Sequence, residues 1–137
     1  MSMDRYTQKV QIKAAEHRQL LAELRKLALS IQRCQETISA LMAELNAANA
    51  KFEGQRSTRQ EVEYLTILLE CAKRKLAWEK QIASLQKRAP ALLKALTGTL
   101  NDKEFPPTEE MKVEMLQLLQ VVQATLEGLQ ALSADPT

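Results

Sequence analysis

A seven-residue repeat runs without interruption from Met3 to Phe52. With Met3 at position a, the later a positions are Val10, His17, Leu24, Ile31, Ile38, Leu45 and Phe52, and the d positions are Tyr6, Lys13, Leu20, Leu27, Cys34, Leu41 and Ala48. His17 and Lys13 are the two polar exceptions. An apolar period of 3.5 held over seven heptads specifies a long helix whose seam another helix must cover. Leu21, Ala28 and Met42 add a second row at e, which widens the apolar face beyond a two-stranded zipper and suits a bundle of three or more helices.

The rest of the composition agrees with helices. Three Gly and four Pro in 137 residues leave few places for turns, and Leu, Ala, Glu, Gln, Lys and Arg replace the β-branched runs a sheet needs. No run approaches the roughly 18 apolar residues of a membrane span, and no apolar stretch follows the first charges as in a signal peptide. Cys34 and Cys71 fall inside heptads without metal-ligand spacing, so two reduced buried thiols are expected. The location expected from these features is the cytoplasm, the cytoskeleton or the nucleus. Charge is unevenly spread: residues 108–137 hold one Lys and five acids, and the basic excess lies before them.

Helix one is predicted over about 4–53, opened by Ser2 or Asp4 and closed by Gly54, whose lack of a side chain permits the left-handed conformation that ends helices. Thr58 followed by Glu61 reads as a capping box for helix two, predicted over about 58–97 with a kink at Pro90. A loop over 98–107 with Phe105 as its anchor precedes helix three, predicted over about 108–133, capped by Thr108 and ending ahead of Asp135-Pro136. Its main stripe is Met111, Met115, Leu118, Leu119, Val122, Leu126, Leu129 and Leu132.

The seam of helix two is expected at Val62, Leu65, Leu69, Ala72 and Leu76, then at Ile82, Leu85, Ala89, Leu92, Leu93 and Leu96, with a six-residue step between Leu76 and Ile82. Folded back on helix one, the two series align layer by layer. Phe52 meets Val62, Ala48 meets Leu65, Leu45 meets Leu69, Leu41 meets Ala72 and Ile38 meets Leu76. Beyond the step, Ile31 meets Ile82, Leu27 meets Leu85, Leu24 meets Ala89, and Leu20 with Leu21 meets Leu92 with Leu93. Small Cys34 faces bulky Trp78 at the step itself. The expected fold is therefore all-α: one elongated domain over 1–137, a long antiparallel helical hairpin of coiled-coil type with a third, shorter helix packed near its open end.

No catalytic set is present. One histidine, no Gly-rich loop and no Ser/His/Asp combination leave neither an enzyme nor a cofactor or metal to expect. His17 is expected near the open end, opposite Leu96 and partly wet. Lysines at seven-residue spacing, Lys73, Lys80, Lys87 and Lys94, flanked by Arg74, Lys75 and Arg88, form a basic face on helix two.

Helix three can cover only about 37 Å of a hairpin roughly 60 Å long. The half near the turn keeps apolar residues outside the seam, Met42, Ile67 and Leu68, and helix three keeps Val113, Leu116 and Val121 off its stripe. Such surface asks for other helical chains. The expected function is a structural one: a small coiled-coil subunit that assembles with helices of other chains, copies of itself or different proteins, in a larger complex. Its layout is similar in a general way to the small helical subunits of spindle, kinetochore and vesicle-tethering complexes. The alternative is an adaptor whose basic face docks on an acidic surface such as a cytoskeletal filament, an anionic membrane or nucleic acid.

Overall fold

The structure, a computed structural model, describes residues 2–133 of the chain and its side chains from Asp4 to Leu132. Met3, the first position of the repeat, and the Ser2 cap thus lie outside the described side chains, and Asp135-Pro136 lies outside the described chain. Three helices make up the fold, α1 over Ser2–Lys51, α2 over Thr58–Leu100 and α3 over Glu109–Ser133, with no strand among the described residues.

α1 ends at Lys51, about two residues before the expected end, and the turn that follows contains Gly54, whose φ of 86° is left-handed as expected. The cap of α2 sits one residue earlier than expected. Ser57 Oγ accepts from the Gln60 amide at 3.2 Å, and Gln60 Oε1 accepts from the Ser57 amide at 3.0 Å. Ser57-x-x-Gln60 and Thr58-x-x-Glu61 satisfy the same pattern in adjacent frames. The earlier frame leaves Glu61 to pair with Arg56 at 3.4 Å, and the Arg56 guanidinium lies over the Tyr64 ring at 4.3 Å.

Further on, α2 continues through Pro90 and past the expected end at Thr97-Gly98 to Leu100, where the Asn101 amide donates to the Thr97 carbonyl at 3.1 Å. Thr108 caps α3 as expected, its Oγ1 accepting from the Met111 amide at 3.2 Å. Between them Asp102 Oδ1 accepts from the amides of Glu104 and Phe105, both at 3.0 Å, which folds the loop back on α1. Phe105 then reaches Tyr6, with ring centroids 5.9 Å apart.

Contacts between α1 and α2 descend on one helix as they ascend on the other. Cys34 meets Trp78, Glu44 meets Arg74, and Asn49 accepts a 2.6 Å hydrogen bond from the Tyr64 hydroxyl. In the half that α3 covers, Leu24, Leu27, Ile31, Ile82, Leu85 and Ala89 are buried where the sequence placed them, together with Met115, Val122, Leu126 and Leu129 of α3. Arg25 and Glu114 tie α1 to α3 through two 2.7 Å hydrogen bonds.

The half near the turn has a different register. Val62, Leu65, Leu69 and Leu76 are 59%, 53%, 56% and 55% exposed, so the expected layers from Phe52–Val62 to Ile38–Leu76 do not form. Cys71 is buried instead, the Tyr64 ring meets that of Phe52 at a tilt of 56° with centroids 5.6 Å apart, and Ile67 packs on the core. The physical reason is continuity. Cys71, Trp78 and Leu85 follow one another at seven residues in an unbroken heptad, whereas the leucine-rich row must step by six to join Ile82. No overwinding is then needed.

The other end differs as well. Tyr6 and Val10, expected on the seam, are exposed, because α2 stops at Leu100 and the first turns of α1 run beyond it. His17, expected to be partly wet, is buried beneath the 101–108 loop, in a hollow lined also by Tyr6, Val10, Phe105, Pro106 and Met111.

A candidate helix-docking surface

The register of α2 creates the surface most suited to a partner. Its turn half carries two apolar rows on one helix: an inner row of Tyr64, Ile67, Leu68 and Cys71 toward α1, and an outer row of Val62, Leu65, Leu69, Ala72 and Leu76 toward solvent. The outer row alternates steps of three and four residues, which is the a/d spacing of a coiled-coil seam. Scattered exposed leucines are ordinary on a protein surface, but a row at seam spacing is a helix-binding pattern.

Of the residues singled out in sequence, Met42 on α1 is exposed and Leu68 is half-buried. Ile67 is part of the core's packing. Val113, Leu116 and Val121 are exposed on α3. The two groups lie on separate elements, and the outer row of α2 was missed as a surface because its spacing fits an intramolecular seam equally well. One signal was available: α2 from Val62 to Leu76 is apolar over about half its circumference, more than one neighbouring helix can cover.

The basic residues do not form one patch. Lys73, Lys80, Lys87 and Lys94 are exposed, but Lys75 is half-buried and Arg74 makes a bidentate ion pair with Glu44. Arg88 turns toward α1, where with Arg33, Ser30 and Cys34 it lines a shallow hollow, and Lys87 and Lys26 border the next one.

Four groups have shifted acidities, among them the Arg25 guanidinium, which its hydrogen bond to Glu114 holds more firmly protonated. Hydrogen bonding to Arg25 holds the Glu114 carboxyl below the usual carboxylate range. The Phe105 amide, then that of Glu104, does the same for Asp102, with Lys13 and His17 adding to it. Burial pushes the Cys34 thiol up. Each follows from a structural contact, and among the described residues no group of His, Cys, Asp and Glu could hold a metal ion. No described helix is long and apolar enough to cross a membrane.

Comparison with protein-family models, curated proteins and solved structures finds no match.

Proposed function

We propose that the protein is a non-enzymatic helical subunit that assembles with helices of other chains. Its working architecture is a single elongated domain, an antiparallel coiled-coil hairpin closed near its open end by α3. The observation that carries this reading is the outer row of α2, four large apolar side chains more than half exposed at seam spacing. Covering the exposed half of one such side chain contributes roughly 1 to 1.5 kcal/mol, so a helix laid along the row gains enough to offset part of its ordering cost. The assembly classes that use such subunits, spindle, kinetochore or tethering complexes, suit its shape and charge, in the cytoplasm, on the cytoskeleton or in the nucleus.

The basic face of α2 supports a second reading, docking on an acidic filament, membrane or nucleic acid, because Lys73, Lys80, Lys87 and Lys94 stay exposed along one line. Salt separates the two, since exposed charges are screened at high ionic strength and apolar packing is not. Partner capture that survives 0.5 M salt and is lost in the Leu69→Glu, Leu76→Glu variant supports helix docking. Capture lost in salt and in Lys80→Glu, Lys87→Glu supports the acidic surface.

A further inference from the structure

Resting on the helix-docking reading, we infer that the outer row continues the face of the hairpin that α3 covers, and that its occupant is a separate amphipathic helix with an acidic flank, lying in line with α3. The continuity follows from the seven-residue step, which returns to the same face of a helix in a coiled coil. α3 lies against Pro90 and Leu93 of α2 through Val122 and Leu126. Stepping back from Pro90 toward the turn gives Ala83, Leu76, Leu69 and Val62, and stepping back from Leu93 passes Gln86 and the half-buried Glu79 before reaching Ala72 and Leu65. On α1, the residues beside Leu129 and Leu132 are Gln35, Glu36, Ile38 and Ser39, and the same step leads from Gln35 and Ile38 to Met42 and Leu45. α3 ends at Ser133, level with Ile38. The groove goes on for roughly 20 Å, the length of residues 62–76 as helix.

Charge selects the chemistry of the occupant. α3, which fills the covered part, carries Glu109, Glu110, Glu114 and Glu127 against Lys112. Along the uncovered part the α2 rim is Lys73 and Lys80, both exposed and neither in an ion pair among the described residues. The α1 rim there starts at Glu36 and Ser39, beside the end of α3, and runs on through Asn46 to Glu53, so basic charge on this stretch of the groove comes from α2 alone. A helix with α3's chemistry, a leucine-type stripe with Glu or Asp on the side toward α2, complements Lys73 and Lys80. A second copy would instead bring the same basic rim with its row.

The test uses the full chain and two synthetic three-heptad peptides with Leu at a and d, one flanked by Glu and one by Lys at e and g. Binding is followed by fluorescence anisotropy at low salt, with circular dichroism confirming that each variant is folded. The Glu-flanked peptide should bind roughly tenfold more tightly, the Lys73→Glu, Lys80→Glu variant should reverse that preference, and Leu69→Asn with Leu76→Asn should abolish binding of both. Equal affinities, or a preference that the lysine changes do not move, overturn the acidic partner while leaving helix docking intact. Failure of both peptides, with self-association that disappears in the Leu69→Asn, Leu76→Asn variant, assigns the row to a second copy and overturns it too. Failure of both with no self-association overturns the docking reading itself.

Discussion

The Trp78 indole N–H donates to the Cys34 backbone carbonyl at 2.8 Å, from a side chain that is 1% exposed. That carbonyl belongs to α1, so the bond joins the two long helices at a single level and fixes their axial register. A large ring opposite a small thiol also fills the layer without overpacking, because the volume one helix adds the other leaves free.

Trp78→Phe should therefore cost more than a conservative ring exchange. The lost hydrogen bond alone is worth about 1 kcal/mol, and leaving no unsatisfied donor limits the loss to that plus the smaller ring. Trp78→Ala should cost about 3 to 5 kcal/mol through the cavity it opens. Urea unfolding of both variants measures the difference. A Trp78→Phe variant as stable as the native chain would mean that the indole packs without its bond.

The loop clasp should respond to acid. Asp102 is held below the ordinary aspartate value of about 4 by the Phe105 and Glu104 amides, so its charged form is favoured in the folded chain. Its contribution is present above that value and is lost as pH falls through the lower folded value, and Glu114 behaves in the same direction. Melting temperature should thus drop below about pH 4 in the native chain, and drop less in Asp102→Asn with Glu114→Gln. An identical acid profile in that variant would show that neither carboxylate matters to the fold.

Both cysteines are free and buried, and Cys34 is harder to ionise because of its burial. The native protein should react slowly with an aromatic disulfide reagent near neutral pH, with two thiols appearing after unfolding. Its intact mass under non-reducing conditions should show two protons more than a disulfide form. Fast reaction of Cys71 in the native state would place the inner row of α2 in solvent.

Much of this fold was legible because the repeat in α1 admits one helical face. Its a and d positions from Leu20 to Ile38 are buried where the pattern placed them. The left-handed turn at Gly54 and the cap at Thr108 were readable for an equally local reason, a residue type suited to the backbone geometry each position needs. The register near the turn was not, because α2 there offers two rows seven-residue periodicity cannot rank. Leu65 and Leu69 are better seam residues than Tyr64 and Cys71 by hydrophobicity. What decides is tertiary: Phe52 against Tyr64, Glu44 against Arg74, and the unbroken spacing from Cys71 through Trp78. Likewise the burial of His17 depended on where the 101–108 loop folds, which Asp102 determines through its own backbone contacts.

The most direct measurement is the thermal melt and helix-binding of one variant, Leu69→Glu with Leu76→Glu, set beside Ile82→Glu. If the outer row of α2 faces a partner, the double variant keeps its helix content and its melting temperature within about 0.5 kcal/mol of stability per site, yet loses binding, while Ile82→Glu unfolds. Collapse of the double variant along with Ile82→Glu would put Leu69 and Leu76 on the intramolecular seam and contradict the docking surface.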